Sequence, residues 1–288
     1  CDRALAEIYE PELSTKPKKF AAWQESHQPF HWYVEFYGIM KKGGFAAIIG
    51  NPPYLELREI DYIPKGFITL ESKAVHSMCM ERSVNILSEQ GAISMIVPLA
   101  LPSTQRMVST QSLLERGRSL WITNYAWRPG KLFDAVNRAL TIFVSSYTRN
   151  EPQETWTTTY QKWGSESRDG LFERVPFARS PRGRASFWIP KVSWKLEESI
   201  LSKLLQTDAR IHSLITRRGH PLYYRTTGGL YWKVFTDFAP KFRLNGKSGS
   251  SSRETNFSLE KKAHVKPTVA ALSSDVFWWW YTITSNLR

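Results

Sequence analysis

Short apolar runs separated by amphipathic stretches occupy the first half of the chain and predict alternating strands and helices. Strands are predicted at 45–49, 93–97, 120–126 and 139–147, and helices at 71–87 and 104–117. The strands at 45–49 and 93–97 are continuously apolar and are expected to be buried, and Gly91 is expected to end the first helix. Strands that alternate with helices favour a mostly parallel sheet.

The pattern changes after residue 150. Residues 150–187 are rich in Ser, Arg, Gly and Pro, with few periodic apolar runs, which predicts a linker or surface excursion. A helix is predicted over 194–205, a hairpin over 219–235, and a mobile Gly/Ser-rich segment over 246–256. The aromatic run 277–281 is expected to be core rather than base-binding, because adjacent aromatic rings must bury several faces.

Length and composition are typical of a globular protein with two modules. The chain has 288 residues, of which 42% are hydrophobic, enough to form a core. Cys1 and Cys79 cannot form a disulfide framework and fit a reducing cytosol, so a cytoplasmic location is expected. No apolar run reaches the roughly 18 residues of a membrane span, and no Cys/His cluster has zinc spacing, so neither membrane nor metal is expected.

Positive charge is concentrated in the second half of the chain. The net charge is +13, with +3 in residues 1–150 and +10 in residues 151–288. Lys and Arg side chains neutralise DNA phosphates and supply most non-specific affinity for DNA. Double-stranded DNA is therefore a candidate partner, and a solvated basic surface without this role is the alternative.

The sequence Asn51-Pro52-Pro53-Tyr54 directly follows the predicted strand 45–49. In open α/β sheets, ligands bind beyond the carboxyl ends of the strands. The two prolines fix φ and stiffen the turn, the Asn51 amide can grip an exocyclic amino group, and the Tyr54 ring can stack on a planar base. This combination favours methyl transfer to a planar amino group. An ordinary strand-to-loop turn is the alternative, because Asn and Pro are common turn residues.

These residues and three further segments resemble the adenine-N6-specific DNA methyltransferases that use S-adenosylmethionine. The closest likeness is to the type IIG restriction–modification and phage-defence members. It covers 31–60, around Asn-Pro-Pro-Tyr, and continues through 86–101, 128–147 and 269–288 in family order.

The resemblance implies an α/β fold: part of a Rossmann-like methyltransferase sheet with an antiparallel end, followed by a mixed α+β target-recognition domain. The expected boundaries are 1–150 for the C-terminal part of the catalytic domain, 151–190 for a linker, and 191–288 for the start of the recognition domain. A fused or associated nuclease outside the chain is a further possibility that the resemblance raises.

The resemblance also assigns roles to residues. Asn51, Pro52, Pro53 and Tyr54 form the catalytic motif that receives an adenine flipped out of the duplex, and Asn51 also touches the cofactor. Phe133 is expected to pack on the flipped base beside Tyr54. DNA contacts are expected from four basic residues: Arg128, Lys131, Arg225 and Lys233.

The sequence departs from the family at two places. Ala46 stands where the family has Asp, and residues 1–42 contain no glycine-rich turn for S-adenosylmethionine, Gly38 being the first glycine. We therefore expect the interior of a longer polypeptide; a circular permutation is not supported by any such turn after Ala100. A methyltransferase for RNA guanine-N2 or protein glutamine, and an inert DNA-binding fragment, remain the alternatives.

Overall fold

The computed structural model describes residues 1–61, 64–149, 152–173, 175–182, 187–208, 210–225, 235–249 and 251–286. The α-helices are α1 (Asp2–Tyr9), α2 (Pro17–His27), α3 (Trp32–Glu35), α4 (Tyr37–Met40), α5 (Val75–Ile86), α6 (Ala100–Ser103), α7 (Val108–Glu115), α8 (Lys195–Gln206), α9 (Val265–Leu272) and α10 (Asp275–Thr284). The strands are β1 (Phe45–Gly50), β2 (Leu87–Pro98), β3 (Ser119–Tyr125), β4 (Leu140–Ser146), β5 (Thr155–Gln161), β6 (Ala178–Arg179), β7 (Ile215–Thr216), β8 (His220–Arg225), β9 (Phe235–Thr236), β10 (Phe242–Leu244), β11 (Lys247–Gly249) and β12 (Glu254–Leu259).

A six-stranded mixed sheet with the order β1-β2-β4-β3-β5-β6 forms the centre of the fold. The pairs β1–β2 and β3–β5 are parallel, whereas β4 runs antiparallel to both β2 and β3 and β6 runs antiparallel to β5. The α/β class and an antiparallel end are confirmed, but a mostly parallel pairing is wrong. No helix separates β3 from β4, so the chain returns in the antiparallel direction. Strand β4 therefore lies between β2 and β3 and runs opposite to both.

The main core lies on the central strands. Ile93 and Val97 of β2, Ile122 of β3 and Phe143 of β4 are fully buried and belong to one apolar cluster. Met80 of α5 belongs to the same cluster, so the helix that precedes β2 covers this face of the sheet. Alternating buried positions along these strands account for their formation.

Strand β1 forms where it was predicted, but the expectation that it is buried is wrong. It lies at the edge of the sheet and pairs only with β2 in the described part of the chain. Ala46 and Ala47 are exposed, and Ile49 is 86% exposed. An edge strand has neighbours on one side only, so an apolar sequence does not suffice to bury it.

Gly91 lies inside β2 and does not end the preceding helix. Helix α5 ends at Ile86 and the chain passes directly into β2, whose pairing with β1 shifts register between Phe45 and Ala47. A Cβ on Gly91 would stand 2.7 Å from the Phe45 carbonyl oxygen. The glycine therefore permits close approach of the two strands, a role that helical periodicity does not reveal.

The segment predicted as a linker contributes to the main sheet. Strand β5 pairs with β3, and β6 pairs with β5, although both lie within 151–190. Thr157 and Thr158 are fully buried in β5, and such polar strand residues give little apolar periodicity. The linker interpretation is wrong for these strands, and the domain boundaries stay a prediction.

A smaller antiparallel sheet with the order β7-β12-β8-β9 occupies the last part of the chain. The predicted hairpin is confirmed by the pairing of β8 with β9, while its glycine turn lies outside the described residues. The expected mobile segment 246–256 instead contains β11 and the start of β12.

The predicted helix at 194–205 corresponds to α8, and the aromatic run lies in α10. Trp279 and Trp280 pack against a cluster that contains Val192 and Leu201, whereas Trp278 remains 40% exposed. The core interpretation of this run therefore holds for Trp279 and Trp280.

The described residues contain neither a candidate membrane span nor a candidate metal site. No helix there is long and apolar enough to cross a membrane. No group of three or more His, Cys, Asp or Glu side chains is placed there to hold a metal ion.

Lys191 connects the end of α6 to the residue that follows α10. Its side chain is fully buried, and Nζ donates to Ser103 Oγ at 3.0 Å and to the Ser285 carbonyl at 2.9 Å. Burial lowers the pKa of Lys191 to about 7. Charging this amine inside the protein therefore opposes folding.

The buried lysine predicts a pH-dependent stability. Because the folded pKa of about 7 is below the ordinary value of 10.5, the unfolded chain binds more protons between these values. The free energy of unfolding should rise from pH 7 to about 9, by at most about 1.4 kcal/mol per pH unit. It should fall by the same amount when the pH is lowered from about 9 back to 7. Urea denaturation at several pH values measures this slope.

In Lys191→Met the rise should disappear, since no amine remains to titrate. The control Lys195→Met, which changes an exposed lysine of α8, should keep the wild-type slope. Equal slopes for wild type and Lys191→Met would contradict the assignment.

Candidate active site

A cleft of about 440 Å³ opens at the carboxyl ends of β1, β2 and β3. Its lining includes Tyr54, Glu56, His76, Arg106, Trp127 and Arg138. Tyr54 and Glu56 follow β1, while Trp127 follows β3, so strand ends on the same edge of the sheet deliver these side chains to one cleft. The motif was expected at such a position, beyond the strand tips.

The Tyr54 ring is held in a defined orientation. Its hydroxyl donates to the Ile96 carbonyl of β2 at 3.1 Å, and its ring meets His76 edge to face with centroids 6.5 Å apart. Burial raises the pKa of Tyr54 to about 12, so the phenol stays protonated and remains a donor. One part of the ring is buried and the rest faces the cleft, as a stacking platform requires.

Asn51 lies at the exposed tip of β1, immediately after Gly50. Its side chain makes no hydrogen bond within the described residues, and it is not part of the lining of the Tyr54 cleft. Pro52 is buried and Pro53 is exposed, so the first proline anchors the turn between Asn51 and Tyr54. The exposed Asn51 amide is therefore available to a ligand.

His76 forms part of the cleft wall behind Tyr54. The side chain is 2% exposed, and neither ring nitrogen finds a hydrogen-bond partner in the part of the chain that the structure describes. Burial lowers the pKa of His76 to about 4, and the cations Arg106 and Arg138 act in the same direction while Glu56 opposes them. The ring is thus neutral near pH 7, with one donor and one acceptor.

An ion pair fixes the loop that follows Tyr54. Arg106 donates two hydrogen bonds to the Glu56 carboxylate, at 2.6 and 2.7 Å, and this arginine holds the pKa of Glu56 below its usual range. The same loop is joined to the start of α5, because Val75 N donates to the Leu55 carbonyl and Leu57 N to the Lys73 carbonyl, both at 2.9 Å. These bonds hold Tyr54 and His76 on one rigid support.

The loop between β3 and β4 brings none of its predicted site residues, Arg128, Lys131 and Phe133, into the lining of the cleft. The exposed Arg128 guanidinium lies 4.0 Å from the Trp127 ring centroid, and Trp127 lines the cleft. Lys131 Nζ donates to Asn137 Oδ1 at 2.7 Å, so it is held within its own loop. Phe133 is half-buried and is not among the residues that line the cleft.

Of the two DNA-contact residues predicted in the second half, the structure describes only Arg225. Arg225 is exposed at the end of β8, opposite Glu254 of β12. Lys233 lies outside the described residues. Both assignments stay predictions.

Sequence reasoning missed His76, the Glu56–Arg106 pair and Trp127. His76 lies on α5, where the apolar positions predicted a helix but gave no sign that this histidine would reach the cleft. Glu56 and Arg106 are 50 residues apart in sequence, so nothing in their spacing indicates that they pair. Trp127 directly follows a predicted strand, and that position was the available signal for it.

The chain leaves the described ends of β1, β2 and β3 through turns without glycine. β1 runs into Asn51-Pro52, β2 into Pro98-Leu99 and β3 into Ala126-Trp127. None of these turns contains the glycines that let a backbone approach a nucleotide-like cofactor. The described residues therefore do not form a complete site for S-adenosylmethionine.

A comparison with family models gives a match over the first part of the chain. Residues 4–126 match the model described as Eco57I restriction-modification methylase. The resemblance to restriction–modification methylases is confirmed. The matched segment contains β1, Asn-Pro-Pro-Tyr, α5, β2 and β3, and therefore most of the cleft. A comparison with curated protein sequences gives no match.

Similar solved structures include restriction–modification enzymes. A DrdV–DNA complex is 14% identical, with a TM-score of 0.42 over 54% of this chain and 19% of its own. A nuclease-deletion mutant of the Type ISP enzyme LlaGI, bound to a DNA substrate mimic, is 15% identical with a TM-score of 0.40 over 54% and 19%. A type I methyltransferase subunit from Streptococcus thermophilus is 9% identical with a TM-score of 0.32 over 62% and 34%. This chain thus spans between 19% and 34% of the length of each of these structures.

The ion pair behind the motif predicts a stability effect. Arg106→Ala leaves the half-buried Glu56 carboxylate without its bidentate partner and should lower the free energy of unfolding by about 1–2 kcal/mol. Arg58→Ala is the matched control, since Arg58 lines the same cleft but is exposed, and it should stay within about 0.5 kcal/mol of wild type. Thermal and urea denaturation would measure both, and equal losses would show that the pair does not hold the loop.

Proposed function

We propose that this chain is the acceptor-side part of a DNA methyltransferase that transfers a methyl group to the N6 amino group of adenine. The substrate is double-stranded DNA, the methyl donor is S-adenosylmethionine, and the setting is a restriction–modification or phage-defence system. The proposal is carried by the Tyr54 ring, held beside an open cleft with the unpaired Asn51 amide at the adjoining strand tip. The family segment that contains both residues supports it.

The acceptor nitrogen of a paired adenine is stacked and hydrogen-bonded, so the base must leave the duplex before it reacts. The cleft of about 440 Å³ has room for one planar base beside Tyr54. One hydrogen bond fixes the Tyr54 hydroxyl, and backbone hydrogen bonds fix the loop that follows. The ring therefore needs no rearrangement before a base stacks on it. Stacking on such a ring contributes about 1–3 kcal/mol per base.

Asn51 and Pro52 supply the acceptors for the amino group. The Asn51 side-chain oxygen and the Pro52 carbonyl accept its two N–H groups, which draws the nitrogen towards sp³ character and frees its lone pair. S-adenosylmethionine supplies an electrophilic methyl group when bound. The nitrogen loses a proton after methylation, so the chain needs no general base with a perturbed pKa, and positioning provides most of the acceleration.

The exposed edge of β1 suggests where the cofactor half belongs. This edge has unpaired backbone groups and uncovered apolar side chains, including Ile49 at 86% exposure. A further strand paired parallel to β1 would bring its own carboxyl end beside Asn51. We propose that the glycine-rich cofactor turn occupies this side, in a segment other than the described residues, and that any nuclease is also supplied from elsewhere.

Asn51→Ala tests the central assignment. Removing an acceptor aimed at the reacting amino group should reduce methyl transfer by roughly a hundredfold or more and leave DNA affinity unchanged. Tritiated methyl transfer from S-adenosylmethionine to unmethylated duplex DNA, measured in the full-length protein, gives the rate. Nucleoside analysis of the labelled DNA identifies the methylated base.

The matched control is Asn85→Ala, which removes an exposed amide from α5 and should retain full activity. Wild-type activity in Asn51→Ala would contradict the mechanism. Label in RNA guanine or in protein glutamine, with none in DNA, would favour those alternative substrates.

Tyr54 is tested by two substitutions. Tyr54→Ala removes the stacking face and should lower turnover by about tenfold or more. Tyr54→Phe keeps the ring and loses only the hydrogen bond to the Ile96 carbonyl, so it should retain most of the activity. An unchanged rate for Tyr54→Ala would remove this residue from the site.

A further inference from the structure

A two-stranded ribbon formed by β10 and β11 stands apart from the sheets of the protein. The strands pair only with each other in the described part of the chain, through Phe242–Gly249, Arg243–Ser248 and Leu244–Lys247. No other described helix or strand makes more than marginal contact with it. An isolated hairpin is only marginally stable in water, so a feature of this kind gains stability from a surface on which it docks.

The turn of the ribbon has a fixed geometry. Asn245 and Gly246 both have positive φ, at 51° and 77°, which is the two-residue type I′ turn that matches the twist of a hairpin. The Phe242 ring lies 3.8 Å from the Cβ position of Gly249 and covers the base of the ribbon. The sequence therefore specifies a shaped projection in a region that is otherwise rich in Gly and Ser.

The chemistry of the ribbon favours a polyanion. Residues 238–253 contain Lys241, Arg243, Lys247 and Arg253 and neither Asp nor Glu. Lys241, Arg243 and Lys247 are exposed, and none of the three forms an ion pair within the described residues. Three exposed cations that form no ion pair in this part of the chain make a surface that an acidic ligand would neutralise.

The shape distinguishes duplex DNA from an acidic protein. The exposed residues Asn245, Gly246, Ser248 and Gly249 are small and polar, so they offer no apolar side chain to anchor a protein partner. The same small residues let the backbone approach closely, and a two-stranded ribbon fits the major groove of B-DNA, about 12 Å wide.

We propose that the ribbon 242–249 enters a groove of duplex DNA and that Lys241, Arg243 and Lys247 contact its phosphates. This inference rests on the proposed function, because it identifies one element by which the chain holds its DNA substrate. Phosphate contacts carry no sequence information, so the ribbon contributes affinity and register, and a duplex of any sequence can test it.

The test is the salt dependence of binding to a fluorescein-labelled duplex of arbitrary sequence, followed by anisotropy between about 50 and 200 mM salt. The triple variant K241Q/R243Q/K247Q should lower the slope of log K against log salt by about 0.9 for each lost contact. Its Kd near 0.1 M salt should rise at least roughly tenfold. The charge-conserving variant K241R/R243K/K247R should bind as the wild type does.

The matched control is K18Q/K42Q/K195Q, which removes three exposed lysines outside the ribbon and causes the same change in net charge. Equal losses in this control and in the ribbon variant would overturn the inference, because they would reflect net charge alone. An unchanged slope in the ribbon variant would overturn it as well. Absence of DNA binding by the wild type would instead count against the proposed function itself.

Discussion

The parallel pairing of β1 with β2 is the interaction on which the candidate site depends. It aligns the carboxyl ends of two strands, so Asn51 at the tip of β1 and Pro98 at the end of β2 meet at one edge of the sheet. The Tyr54 hydroxyl donates a hydrogen bond to the Ile96 carbonyl of β2, so the residue that follows β1 is held by the neighbouring strand. Gly91 permits the close approach of the two backbones near the other end of this pairing.

The polar groups next to the Asn51–Tyr54 motif mainly fix the conformation of the loop that follows it. The Glu56–Arg106 pair and the backbone bonds between 55–57 and 73–75 make the loop rigid, and His76 fills the space against the Tyr54 ring. A rigid support suits a reaction in which positioning provides most of the acceleration. Three groups near the site have shifted pKa values, and each keeps a fixed protonation state near neutral pH. His76 and Tyr54 are neutral, and Glu56 is ionised.

The two halves of the chain divide the proposed work. The first half carries little net charge and builds the cleft, while the second half carries a net charge of +10 and includes the β10–β11 ribbon. Lys191 connects them without a counter-ion, through Ser103 and the Ser285 carbonyl, and Asn286 next to that carbonyl reaches the lining of the cleft. The last residues of the described chain therefore help to form the cleft.

The sequence alone determined the strands β1 to β4, the helices between them, the position of Asn51–Tyr54 beyond a strand tip and the resemblance to restriction–modification methylases. These features depend on local periodicity and on a contiguous motif, which a linear sequence displays directly. Tertiary structure decided the exposure of β1, the antiparallel insertion of β4 and the recruitment of β5 from an expected linker. It also brought together His76, Glu56 and Arg106, because burial and side-chain pairing depend on which strands become neighbours, and residues far apart in sequence give no local sign of that.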